Sequence, residues 1–174
     1  MTELLPRDRP FPPPELDALD AVVAFLGFVH TTAVNKATGL TEAQARSTPL
    51  ESSPAMSVLG VIKHLTAVQR QHVQIHIGGA DVPSLWRADD LEFEFRIGAD
   101  ESIESVVAAF DAEWETSRAT LARLDLRAHP DTIVTAHGRP VSAVRLLVDV
   151  LQESARHLGH IDILRETIDG ATGE

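Results

Sequence analysis

Residues 152–165 read Gln152-Glu153-Ser154-Ala155-Arg156-His157-Leu158-Gly159-His160-Ile161-Asp162-Ile163-Leu164-Arg165. Positions three and four apart are neighbours on a helix, so this spacing puts Glu153, His157 and His160 on one side, together with Leu146, Val150, Leu164 and Ile168. That side is an apolar stripe, and a stripe of this kind faces a core. The segment therefore predicts a long core-facing helix whose inner side carries ionisable groups. Burying such groups is costly unless something pairs with them, and a metal ion is one such partner. A metal site built on helices is the first hypothesis.

The same three-and-four spacing recurs in three earlier segments. Leu16, Leu19, Val22, Val23, Leu26, Val29 and Ala33 predict a first helix from Glu15 towards Gly39. Ser57 is the N-cap candidate of a second helix that runs through Val61, His64, Leu65, Val68 and Ile75 to Gly78-Gly79. A third helix is expected from about Ser102 through Val106, Phe110 and Trp114 to Leu124, its first turn acidic as the helix dipole favours. Ser142 is expected to cap the fourth helix, which runs to about Ile168 with Gly170 just past its end. Residues 80–100 lack a clean period and hold Pro83, Trp86 and Asp89-Asp90-Leu91-Glu92-Phe93-Glu94-Phe95, which predicts a long packed loop. Ala136-His137-Gly138-Arg139-Pro140 reads as a turn, with Thr132-Ile133-Val134-Thr135 as a short extended piece before it. Four long amphipathic segments and no strand series predict an all-α fold: an antiparallel four-helix bundle with a long loop between helices 2 and 3. Pro6, Pro10, Pro12, Pro13 and Pro14 make residues 1–14 an extended surface arm, which leaves residues 15–174 as a single domain.

Composition narrows the function. The chain of 174 residues has 15 Lys plus Arg against 26 Asp plus Glu, a formal charge of -11. No basic stripe is available to neutralise phosphates, so nucleic acid is not an expected partner. The longest apolar run, residues 21–29, is far short of the ~20 residues that a membrane span needs. The opening residues lack the apolar core of a signal peptide, and no membrane partner and a cytoplasmic location are expected. The absence of cysteine removes thiolate zinc ligands and cysteine nucleophiles, so chemistry must use His, Asp, Glu, Ser or a bound cofactor.

Spacing alone is weak evidence for a metal site. In a chain of this composition a Glu four residues before a His is expected roughly 0.6 times by chance. His64 adds weight, because it shares its helix face with Val61, Leu65 and Val68 and so points inward from a second helix. Two His and one carboxylate leave coordination positions open, as in a catalytic zinc site or a non-haem iron triad. The competing reading makes His64, Glu153 and His157 core or boundary residues that satisfy one another by hydrogen bonds. His72 and His76 form a second i, i+4 pair nearer the glycine-rich end of the second helix, where a solvent-side position is expected. His30 and His160 are pocket candidates, and His129 and His137 fall in loops where solvation is expected.

Three stretches resemble one family: Gly39-Leu40-Thr41-Glu42-Ala43-Gln44, then residues 53–65 ending in Ile62-Lys63-His64-Leu65, and finally Gln152 to Glu166. They resemble the DinB-like superfamily, and within it an actinobacterial branch related to the mycothiol-dependent maleylpyruvate isomerase N-terminal domain. The resemblance covers Glu15 to Gly173. It implies a four-helix bundle that binds one divalent metal through a His on the second helix and two ligands one turn apart on the fourth. Carried onto this chain, the ligands are His64, Glu153 and His157. Many relatives have His where this chain has Glu153, whereas the isomerase-like members have Glu. Relatives often have Gln in place of His160, which makes His160 a substitute ligand or a group that supports the ligands.

The activity implied is that of a thiol S-transferase using a low-molecular-weight thiol such as mycothiol or bacillithiol. Zinc is the first candidate for the divalent metal, with nickel, iron and manganese as alternatives. A thiolate bound to zinc exists at neutral pH, so the protein would need no cysteine of its own. Two other readings stand beside this one: a metal-dependent hydrolase using metal-bound hydroxide, and a non-catalytic, stress-associated module that binds a metal or ligand. The expected partner is a small-molecule substrate, with a homodimer as a further candidate.

Overall fold

The computed structural model describes residues 4–126, 128–129 and 131–172. Residues 1–3 of the expected arm and 173–174 of the expected domain lie outside the described residues, as does the Gly173 end of the family resemblance. Within them the chain is mostly helical, with five α-helices and one two-stranded sheet.

Helix α1 (Ala18–Ala37) starts where the Asp17 side chain accepts a hydrogen bond from the Asp20 N–H, an N-cap that satisfies one of the free donors of the first turn. Helix α2 (Glu42–Arg46) is a short helix closed by a reciprocal Thr41–Gln44 capping box. At five residues it is too short for a hydrophobic period to announce it. Helix α3 (Val58–Gln69) is capped by Ser57 and passes into a π-helical segment, Arg70–Ile77. The second expected helix is thus two pieces, with the hydrogen bonding widened to five-residue spacing, as in Gly78 N–H to the Val73 carbonyl at 2.8 Å. Arg70 and Gln74 from this segment both reach the Glu113 carboxylate, which is only 2% exposed. A carboxylate so deeply buried needs such partners.

Residues 80–100 form the packed loop, broken by one 3-10 turn at Phe93–Phe95. Helix α4 (Ile103–Leu124) opens on a Ser102–Ser105 capping box. The extended piece at 132–135 has a partner: β1 (Ile133–Ala136) pairs antiparallel with β2 (Arg139–Ser142), Ile133 opposite Ser142 and Ala136 opposite Arg139. His137 and Gly138 between them both have positive φ, 51° and 73°, which is the geometry of a tight hairpin turn whose twist matches the strands. Helix α5 (Ala143–Asp169) follows directly. Ser142 occupies its N-cap position without a side-chain cap bond, and Gly170 ends it with φ 77°.

Helix α1 packs on α5, and α3 packs on both α4 and α5. One part of the core gathers Val34, Leu59, Ile62, Phe110, Ile161 and Leu164, and a second gathers Val68, Val73, Leu146, Leu147 and Val150. Each side chain of this size stabilises the fold by about 1.5–3 kcal/mol when fully buried. Helix α1 is long and apolar enough to cross a membrane by length and composition alone, with a mean hydropathy of 1.4 over its best window. In this fold it gives Leu26, Ala33, Val34 and Ala37 to the core.

Gly60 fixes how the loop meets α3. A Cβ there would lie 2.3 Å from the Phe95 backbone oxygen, so only glycine lets the 93–95 turn press onto this helix. The contact is one helical turn before His64, and it sets the loop directly over that side chain.

Candidate metal centre

His64 rises from α3, and Glu153 and His157 rise from α5 one turn apart, because both helices present these positions to the space between them. One donor atom from each of the three lies within 4.8 Å of the others. The His157 Nε2 is 3.4 Å from Glu153 Oε2, and the His64 and His157 rings are 4.5 Å apart between centroids. His157 is 6% exposed. Glu153 is partly open and receives a hydrogen bond from Arg156 at 3.0 Å.

Burial, reinforced by the positive charge of Arg156, pushes His64 down to about 4. His157 falls to about 4 for the same first reason, burial, with His64 and His160 nearby adding to it. Both rings are therefore neutral at pH 7 and present lone pairs rather than charge, the form a metal requires. Both ring nitrogens of His64 are buried without a hydrogen-bond partner. An unsatisfied buried polar atom costs about 1–3 kcal/mol, so the protein carries a penalty here that a cation would remove. Two neutral imidazoles, one carboxylate and an unpartnered donor fit a divalent ion that prefers nitrogen and oxygen ligands.

Two loop residues, missed by spacing arguments, complete the surroundings of His64. Phe95 stacks on its ring, 4.4 Å between centroids and 13° between planes. The Glu94 carboxylate, itself 8% exposed, places Oε1 3.5 Å from His64 Nδ1. Desolvation pushes the Glu94 carboxyl upward. A carboxylate behind an imidazole orients the ring and raises its basicity toward a metal on the other nitrogen. The acidic-aromatic alternation of residues 89–95 marks the loop as unusual, but nothing in its spacing says that it folds back onto α3.

His160 lies beside the triad, with its Nδ1 3.3 Å from His157 Nδ1. One of these facing nitrogens carries the hydrogen, so the pair holds the His157 ring with Nε2 towards Glu153. His30 is elsewhere. Its Nε2 is 3.0 Å from Asp111 Oδ1, it stacks on Phe110 at 4.1 Å, and Arg7 of the proline-rich arm grips the same carboxylate at 2.6 and 2.7 Å. Burial pushes the Asp111 carboxyl upward, but the hydrogen bonds from Arg7 and His30 outweigh it and hold it well below the usual carboxylate range. His30 thus ties the arm to α1 and α4 and does not border the cavity at the triad.

That cavity has a volume of about 500 Å³ and is lined by His64 and Glu153 together with Val68, Trp86, Leu146 and Gln152. His72 and His137 line it as well. His72 is 9% exposed rather than solvent-side. His137, expected to be solvated, keeps an exposed position at the hairpin turn but packs its ring on His76, 5.0 Å between centroids. The π-helical segment and the hairpin bring these three together, and neither element follows from a helical period. His129 is exposed and belongs to neither group.

The arrangement can hold a cation at the floor of an apolar-walled cavity that admits a small molecule. Neither a curated protein nor a solved structure matches the chain. A family model does: the one described as mycothiol-S-transferase aligns with residues 21–170, from within α1 to just past the end of α5. Spanning most of the sequence and all three converging side chains, that match shows that this chain belongs to the mycothiol-S-transferase family.

Proposed function

We propose that this protein is a divalent-metal-dependent S-transferase that joins a low-molecular-weight thiol, mycothiol first among candidates, to a small electrophile. The observation that carries the reading is the convergence of donor atoms from His64, Glu153 and His157 beside a cavity that His64 and Glu153 line, with both His64 ring nitrogens buried and unpartnered. These three residues would hold the ion, zinc by preference for such a donor set, with nickel, iron or manganese as alternatives. A bound divalent ion supplies a Lewis acid that lowers the pKa of a coordinating thiol and so favours the nucleophilic thiolate at neutral pH. A protein that obtains its thiolate in this way needs no cysteine, and this chain has none.

The chain's own residues do the rest. Burial keeps His64 and His157 neutral at pH 7. His160 holds the His157 ring from behind, and Phe95 stacks on the His64 ring with the Glu94 carboxylate 3.5 Å from its Nδ1. Val68, Trp86 and Leu146 give the cavity apolar walls that exclude water from the reacting atoms, while Gln152 and Arg145, the latter ion-paired with Asp149, offer polar contacts to the substrate. We further propose that α1, the α3 segment, α4 and α5 form the antiparallel four-helix bundle of the DinB-like type, within one domain from residue 15 onward.

The test is a rate. Protein purified without an affinity tag is stripped with a chelator, and addition of mycothiol and other small thiols to a panel of electrophiles is followed before and after reloading with zinc. Stripping should abolish the acceleration and reloading should restore it. A rate that is indifferent to the metal for every thiol in the panel contradicts the proposal.

A further inference from the structure

His72, His76 and His137 form a second cluster with the same property as the triad: a donor atom from each lies within 4.8 Å of the others. The ring centroids are 5.8 Å apart for His72 and His76, 5.7 Å for His72 and His137 and 5.0 Å for His76 and His137. The rings come from two separate elements. His72 and His76 stand on the π-helical segment, and His137 is the first residue of the hairpin turn, with φ 51°. A left-handed conformation is uncommon for a residue other than glycine. Here it lays the imidazole against the other two.

The fold leaves this cluster only partly satisfied. The Nδ1 of His72 is buried and has no hydrogen-bond partner, and no carboxylate is hydrogen-bonded to any of the three rings among the described residues. Burial, with the neighbouring His76 and His137 adding to it, pushes His72 down to about 4. His76 is lowered too, first by burial and then by His137. The His72 and His76 rings are thus neutral donors at neutral pH. Three imidazoles with donor atoms around one point, one of them with an unpartnered buried nitrogen, make a donor set suited to a late first-row ion.

We propose that His72, His76 and His137 are a second cation site, a three-histidine site for zinc or a similar divalent transition metal, on the wall of the same cavity that His64 and Glu153 line. Three neutral ligands leave a coordination position open. One contact must yield: Gln71 Nε2 lies 3.0 Å from His76 Nε2, and the same amide accepts a hydrogen bond from Ser84 through its oxygen. Gln71 is a flexible side chain at the end of that chain of contacts. Hydrogen bonding to the Thr135 backbone holds the His76 ring, the usual way a ligating histidine is oriented. This site does not depend on the thiol-transfer reading or on the triad being a metal centre.

The experiment is a stoichiometry. Metal-free, untagged full-length protein is equilibrated with zinc chloride alone, desalted and analysed for zinc per chain. Wild type should retain two ions. His137→Asn should retain one, and His64→Ala should retain one. Asn tolerates a left-handed backbone, and His137 is exposed, so this variant leaves the fold intact, which circular dichroism checks. His72→Ala is a second variant with the same expectation. One ion in wild type that persists in His137→Asn and vanishes in His64→Ala overturns the second site and leaves the triad standing. One ion that vanishes in His137→Asn and persists in His64→Ala supports the three-histidine site and removes the triad.

Discussion

The triad, through His64 and Glu153, and the three-histidine cluster, through His72 and His137, border the same cavity and are built differently. His64, Glu153 and His157 stand on regular α-helices and are braced from behind by Phe95, Glu94 and His160. His72, His76 and His137 stand on a π-helical segment and a two-residue turn, and the bracing amide of Gln71 occupies a nitrogen that a metal would need. Side chains held by packed helices keep their positions without reorganising, whereas those on irregular backbone pay for ordering when they bind. Convergence of donor atoms alone therefore does not rank two sites. The supporting contacts do, and they favour the triad as the tighter of the two proposed sites.

The comparison breaks most visibly at His157. Replacing it with Ala should lower the metal content by one ion per chain, while His129→Ala, in an exposed loop position, should leave it at the wild-type value. Elemental analysis of the two variants checks this, and equal content in both denies His157 any role in holding metal. The next largest effect comes from the residues that brace the ligands. Glu94→Gln and His160→Ala should each weaken zinc binding at the triad by about 10–100-fold, the usual cost of removing a partner that orients a ligand. A competition titration with a chelating dye reads it, and wild-type affinity in both variants would show the bracing to be incidental.

A smaller effect concerns acid. His64, His72 and His157 lie at about 4 in the folded protein, against an ordinary value of about 6.5 in the unfolded chain. Between those values the unfolded state binds more protons than the folded one, so stability rises with pH and is lost as pH falls from about 6.5 towards about 4. Burial raises the Glu94 carboxyl and works in the opposite direction, but it is one group against three. Metal-stripped protein should therefore melt at progressively lower temperature across that interval and show a flat profile just above it. A melting temperature that rises on acidification over the same range contradicts the burial of these rings.

The positions of the triad are legible in sequence because both flanking helices are long and regular. A period of 3.6 residues carries His64 inward with Val61, Leu65 and Val68, and it carries His157 inward with Val150 and Leu164. The same arithmetic fails where the backbone leaves that period. His72 shares the helix face of His64 and Val68, and only its nearness to the glycine-rich end suggests a solvent-side position, which the π-helical segment overrides by burying it. His137 depends on a turn whose left-handed residue is visible only as an ambiguous His-Gly pair. Glu94 and Phe95 reach His64 because Gly60 leaves room for a backbone oxygen, a contact between residues 35 apart that no local pattern encodes. Helix α2 escapes for want of length, since its five residues span little more than one turn.

Whether His64, Glu153 and His157 bind one ion is decided by anomalous diffraction from crystals of the zinc-loaded protein, recorded on both sides of the zinc edge. An anomalous peak should stand among the three side chains, about 2.0–2.2 Å from a nitrogen of each histidine and an oxygen of Glu153. Fully loaded crystals with no peak at that point, or with the three side-chain tips turned away from one another, would contradict binding by the triad.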